Sequence, residues 1–210
     1  MNAYVAFPAG ELAADTLGGD FIPPEAVGAL LGDFEYPPDY VEKYYKTMPS
    51  EKALQWCSDH EMWLIPGPPA PISVLDILRV RDSHFNLSRT DWCGNLGQNF
   101  SRDDKAEPGW FGLARPHLVE MGGKDWERQC SFLQPEMVVP NAAELLWCLT
   151  TISATNHYAL PRGVFARTTS VDAERLRVIV GMSDNDSLLI YHYWDQLFFA
   201  DLIVQPIRKF

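Results

Sequence analysis

Basic residues are scarce in this chain. Seventeen lysines and arginines stand against 28 aspartates and glutamates, a formal net charge of -11. A negative field of that size repels phosphate and anionic headgroups, so nucleic acid and membrane surfaces are poor partners. Long apolar runs are missing too, and none approaches the roughly 18 residues of a membrane-spanning helix. The opening MNAYVAFPAGELAAD has no basic n-region, so no signal peptide is expected. The location expected is therefore cytoplasmic or virion-associated. Cysteine is sparse. Cys57, Cys93, Cys130 and Cys148 form no C-x-x-C pair and have no zinc-type histidine spacing beside them. Two disulfides are formally open, and four free thiols in a reducing compartment are the expectation. Histidines 60, 84, 117, 157 and 192 make no sequence-local set, so no metal and no cofactor are expected. Gly94-x-x-Gly97 lacks the Lys-Ser/Thr that follows in a phosphate-binding loop. There is no internal repeat and no low-complexity tract.

What is present is a globular composition, 47% hydrophobic over 210 residues. That length suits one domain, or one domain with an N-terminal segment. Residues 1 to 24 read as an extended arm or irregular lead-in. Short helical patterns follow Pro23-Pro24 and Pro37-Pro38, and Ser50 is a fitting N-cap for a helix over 51–59. Residues 62–65 read as a strand, and 72–80 is ambiguous between strand and helix. Residues 82–109 read as a long polar loop, uncommon in a compact domain unless it holds short elements or a role. A strand is expected from Trp110 to Arg115 and a helix from Lys124 to Leu133. The clearest element is a helix over 141–155, where Asn141 and Glu144 have capping-box spacing and Leu145, Leu149 and Ile152 form a stripe. Residues 164–169, 177–181 and 188–194 read as strands, the last two joined by the turn-forming Asp184-Asn185-Asp186-Ser187.

The stretch from 188 onward is unusual because its two faces cannot be told apart by polarity. Leu188, Ile190 and His192 share one side, and Leu189, Tyr191 and Tyr193 the other. Either a fully buried strand or a binding surface produces such a pattern. Local chemistry elsewhere is weaker. Cys57, Asp59 and His60 are close enough on a helix end to be compared with a nucleophile and its helpers, but nothing in the spacing sets a base on the thiol. Asp184, Asp186 and Asp195 could form an acidic site, although a solvated turn accounts for the first two. Seven dispersed tryptophans read as packing.

Gln134-Pro135-Glu136 and Trp194-Asp195 resemble, incompletely, the calcium signatures of C-type lectins. A calcium site needs six to eight converging oxygens, and the sequence does not supply that set. A broader resemblance covers roughly residues 110 to 210. It rests on Trp110, Lys124-Asp125-Trp126-Glu127-Arg128-Gln129, Pro140-Asn141-Ala142-Ala143-Glu144, Arg167-Thr168, Arg177-Val178-Ile179-Val180-Gly181, Trp194-Asp195 and Arg208-Lys209-Phe210. This set resembles a group of uncharacterised bacterial, archaeal and phage proteins. Its ending is similar to the variable proteins of diversity-generating retroelements. That resemblance implies a C-type-lectin-like fold and a C-terminal patch rewritten at adenines by reverse transcription. It also implies binding of diverse targets without chemistry. Gly181, Leu188, Ile190, Trp194 and Leu202 would be framework. Met182, Asn185, Leu189, Tyr191, His192, Tyr193, Gln196, Leu197, Phe199 and Ala200 would form the variable surface. Ser187, Phe198 and Ile203 stand where glycine, arginine and glycine are expected.

The expected fold is α+β, C-type-lectin-like, with small, mainly antiparallel twisted sheets and two or more helices. Residues 1–49 would be an N-terminal arm with short helices, and 50–210 the lectin-like domain, with its variable region at about 182–204. The expected function is that of a receptor or display protein, not an enzyme, binding a protein or other macromolecular target. Two rivals stand beside it: a hydrolase with a carboxylate or cysteine site near 82–109, and an assembly protein that buries the apolar 188–204 surface in an oligomer.

Overall fold

The computed structural model describes residues 7–30, 39–80, 90–94, 98–156, 160–183 and 187–210. The chain is mixed α+β. Helix α1 spans Pro8–Leu17, α2 Pro24–Leu30, α3 Tyr40–Lys46 and α4 Glu51–Asp59. Strand β1 (Met62–Pro66) and the short β2 (Ile72–Ser73) lead into α5 (Val74–Val80). Next come α6 (Phe100–Asp103), β3 (Lys105–Ala106), β4 (Trp110–Ala114), α7 (Leu118–Met121) and α8 (Trp126–Cys130). The long α9 (Ala142–Asn156) precedes β5 (Phe165–Val171), β6 (Arg177–Met182), β7 (Leu188–Tyr193), β8 (Leu202–Val204) and β9 (Ile207–Lys209).

Among the described residues three small sheets result. One has the order β1-β4-β9, antiparallel throughout, and another pairs β2 with β3. The third has the order β7-β6-β5-β8, antiparallel except for the parallel β5–β8 pair. Both β1 and β4 are buried along their whole length, which is why their sequences run apolar without alternation.

Helix α9 stands at the centre. Its capping box closes on both sides: the Glu144 N–H donates to Asn141 Oδ1 at 2.9 Å, and the Asn141 N–H to Glu144 Oε2 at 3.0 Å. From Ala142 to Ile152 it is buried on every side, as a helix enclosed by a core must be. The inner side of the four-stranded sheet packs on it through Ala166, Val178, Val180, Met182, Leu188 and Ile190. Trp147 donates its Nε1–H to Pro66 O at 2.9 Å, tying the helix to β1. At the C-terminal end, Lys209 pairs with Glu144 at 2.5 Å and Phe210 exchanges backbone hydrogen bonds with Trp110.

Residues 8–17 correct the expected irregular lead-in. Pro8 sits in the first turn, where its missing N–H is harmless, and Gly10, Ala13 and Leu17 at i, i+3 and i+7 give a buried stripe. That stripe, with Phe21, Tyr40, Tyr44 and Tyr45, packs against Leu54, Met62, Leu64 and Trp110 in a second core. The N-terminal helices thus share a core with β1 and β4. The ambiguous 72–80 stretch holds both elements. Ser73 and Asp76 cap α5 in the manner of a capping box, through Asp76 N–H to Ser73 Oγ at 3.2 Å and Ser73 N–H to Asp76 Oδ2 at 3.1 Å. The expected loop at 82–109 carries, among its described residues, a single helical turn at 91–94, α6 and β3. The helix expected over 124–133 is shorter, capped by Asp125 Oδ1 accepting from the Arg128 N–H at 2.8 Å. The turn residues 184–186 lie outside the described residues. Among the described residues no helix is long and apolar enough to cross a membrane.

Candidate binding face on the outer side of the four-stranded sheet

Strand alternation sends Phe165, Arg167, Arg177, Ile179, Leu189, Tyr191 and Tyr193 to the side of the sheet away from α9. The register aligns them in rows: Phe165–Gly181–Leu189, Arg167–Ile179–Tyr191 and Arg177–Tyr193. Gly181 is required in the first row. A Cβ there would lie 2.2 Å from the Phe165 ring and 2.6 Å from Val164 O, so only glycine lets that ring lie across β6.

Over this side folds the segment 194–201, held by two arginines. Arg167 is fully buried. Its Nη1 donates to Gln129 Oε1 at 2.7 Å and Lys124 O at 3.1 Å, and its Nη2 to Leu197 O. Burial pulls this guanidinium below its ordinary pKa, while Asp195 opposes the shift. Gln129 in turn donates to Met121 O at 2.7 Å and Leu202 O at 2.6 Å. Arg177 lies 3.7 Å from the Trp126 ring and makes a fork to Asp195, with Nε–Oδ1 at 2.5 Å and Nη2–Oδ2 at 2.9 Å. Backbone bonds from Trp126 N–H to Asp195 O (3.1 Å) and from Gly123 N–H to Phe199 O (2.9 Å) complete the attachment. The motif residues Lys124, Trp126, Gln129, Arg167, Arg177 and Asp195 are thereby one connected network.

Aromatic groups project above this network. Tyr191, Trp194, Phe198 and Phe199 are 47, 47, 67 and 46% exposed. Tyr191 and Tyr193 meet edge to face at 5.5 Å, and the tilted rings of Tyr193 and Phe199 lie 5.9 Å apart. Beside them opens a concavity of about 460 Å³ lined by Phe165, Leu189, Ile190, Tyr191 and Tyr193.

Of the ten residues expected in a variable surface, Tyr191, Gln196, Phe199 and Ala200 are exposed, and His192, Tyr193 and Leu197 are half-buried. Met182 is a correction. Only 2% exposed, it continues the inward alternation of Val178 and Val180 and packs in the core on the α9 side. Leu189 is a second correction: it is 8% exposed, in the row it shares with Gly181 and Phe165. Asn185 lies outside the described residues. Of the expected framework, Leu188, Ile190 and Leu202 are buried, whereas Trp194 is exposed because it follows the last paired residue of β7. His192 is held by its neighbours: its Nδ1 bonds Asp172 Oδ2, and its ring lies 5.1 Å from Trp92. Asp172 Oδ1 also accepts the Glu174 and Leu176 N–H groups, at 2.9 and 2.8 Å. The indole N–H of Trp92 binds Ile190 O at 3.0 Å, so the expected long loop supports the edge of β7. Phe165 and Phe198 were not among the expected surface residues. Strand parity relative to Ala166 could have found the first.

The cysteine arrangement does not assemble. Cys57 is buried, and desolvation pushes its thiol up to about 11. His60 turns away, stacking on Trp56 at 4.0 Å with Nδ1 at 2.7 Å from Trp56 O, and Asp59 accepts from Gln55. Burial likewise raises Cys93 to about 12, and all four cysteines are free. Of the acidic residues compared with a calcium site, Asp195 is engaged by Arg177 and Glu136 is exposed. Among the described residues no three His, Cys, Asp or Glu side chains are grouped to hold a metal. Comparisons with protein-family models, curated proteins and solved structures give no match for this chain.

Proposed function

We propose that this chain is a receptor or display protein of the C-type-lectin-like kind, whose C-terminal face is diversified by a retroelement and binds a macromolecular target without chemistry of its own. One observation carries this reading. The quoted motif residues Lys124, Trp126, Gln129, Arg167, Arg177 and Asp195 tie a loop whose intervening side chains, Gln196, Phe198, Phe199 and Ala200, are exposed. Three of the tethers to that loop are backbone carbonyls, those of Asp195, Leu197 and Phe199, so they hold regardless of the side chains displayed there. Exposed aromatic rings supply large contact area at low entropic cost, as in antibody loops.

The test is the DNA beside the gene. The expected finding is a reverse-transcriptase gene next to a near-copy of this 3′ end, differing from it at adenines. A neighbourhood with neither would overturn the diversification. A second reading is favoured by Phe198, the most exposed aromatic of the face at 67%. The same apolar surface would then be buried between copies of the chain. A molar mass that doubles with concentration for the parent chain but not for Phe198→Ser would favour that reading.

A further inference from the structure

We infer that the concavity beside Tyr191 and Tyr193 receives an arginine side chain presented by a basic protein partner. This inference rests on the binding-face reading and names the chemistry the face would take. Of the described lining residues, Phe165, Tyr191 and Tyr193 are aromatic and Leu189 is aliphatic, while Ile190 borders the space from the strand with its side chain packed towards α9. The Tyr191 and Tyr193 rings meet at 70°, and a cation is drawn to the face of such a ring. Among the described residues no lysine or arginine lines the space. The two arginines of the neighbouring strands are engaged inside the protein, Arg167 by Lys124 O, Gln129 and Leu197 O, and Arg177 by Asp195.

A volume of about 460 Å³ admits a neutral aromatic side chain as well as a guanidinium. Charge decides between them. A neutral group gains nothing from a chain of net charge -11, whereas a cation is drawn by that field and then by the ring quadrupoles. A guanidinium is planar, weakly hydrated and stacks on aromatic faces, which an ammonium does less well. The protein already holds one guanidinium in this way, with Arg177 over Trp126 and its fork on Asp195.

The test titrates the full chain with N-acetyl-arginine methylamide and with its neutral near-isostere N-acetyl-citrulline methylamide, followed by NMR at low ionic strength. The arginine probe is expected to bind at least about fivefold more tightly than citrulline, and less tightly as salt is added. Tyr191→Leu and Tyr193→Leu should each weaken it about two- to fivefold, while Tyr191→Phe, which keeps the ring, should not. Equal affinity for the two probes, or no saturable binding of either by the unmodified chain, overturns the inference. A loss on Tyr191→Phe as large as on Tyr191→Leu does the same. None of these outcomes touches the face itself, which fails on a separate measurement: a stability loss at Tyr191 as large as at Ile190.

Discussion

On the inner side of the four-stranded sheet, Ala166, Val178, Val180, Met182, Leu188 and Ile190 are at most 2% exposed and pack on α9. On the outer side, two arginines, a glutamine and an aspartate hold a loop through hydrogen bonds, and rings stand above them half in solvent. The inner side depends on side-chain volume at every position, because close packing registers the loss of even a methylene group. The outer side depends on a few polar groups whose partners are largely main-chain carbonyls. Substitutions between those groups should leave the attachment intact. The same three strands therefore carry one side fixed by packing and another fixed by a few polar groups and by Gly181.

The largest effect that would sharpen this contrast is expected at Arg167. Arg167→Met keeps an apolar stem of similar length but leaves Gln129 Oε1 and the carbonyls of Lys124 and Leu197 without their donor. Several buried acceptors stripped at once should lower stability by about 3–5 kcal/mol in urea melts. Hydrogen exchange should show the 194–201 amides opening first. A loss below about 1 kcal/mol would mean the loop is held by its rings and not by the arginine. Next comes Ile190→Ala, which empties a site 1% exposed in the core against α9. About 2–5 kcal/mol should be lost, the usual range for such a truncation. Gly181→Ala should cost about 1–3 kcal/mol, because the new methyl meets a backbone oxygen at 2.6 Å as well as the Phe165 ring. It should also displace that ring and reshape the concavity, which Phe165 fluorine labelling would report. Unchanged stability and an unmoved ring would show that β6 can shift, and that glycine is not needed there.

How much of this was legible follows from the distance over which each feature is determined. The capping box of α9 is a four-residue pattern, and the sequence placed it correctly to within a residue. The strands expected at 164–169, 177–181 and 188–194 fall at 165–171, 177–182 and 188–193, close because β-branched runs and polar turns mark them locally. The inward position of Met182 was also readable, since it shares parity with Val178 and Val180. The resemblance places it on the surface, whereas its face places it in the core. The burial of Arg167 could not be read at all. Its partners are 30, 38 and 43 residues away, and an isolated arginine before a threonine carries no sign of them. Trp194 escaped for the opposite reason. It lies one residue past the end of β7, where strand alternation no longer fixes direction. The helix over 8–17 was hidden by proline and glycine, although Pro8 sits where a helix tolerates it and Gly10 packs under the Tyr45 ring.

The smallest effect is the one that most directly tests the contrast between the two sides. Tyr191 and Ile190 are adjacent on one strand, share the same backbone pairing with β6, and point in opposite directions. A difference between truncations at these two positions therefore reports the face and not the strand. Tyr191 is 47% exposed and touches His192 and Tyr193 only edge to face. Phe199 is 46% exposed, and the bond that anchors its residue is made by its carbonyl, which alanine retains. Tyr191→Ala and Phe199→Ala should each change stability by no more than about 1 kcal/mol, as surface substitutions do. Each loses only part of a ring's burial, and each relieves some apolar exposure. The double variant should be close to additive, unless the Tyr193 ring between them couples the two sites. Matched urea melts of Tyr191→Ala, Phe199→Ala and Ile190→Ala decide the matter. Losses of equal, large size at all three would mean that both sides of β7 are core, leaving no surface on which a target could dock.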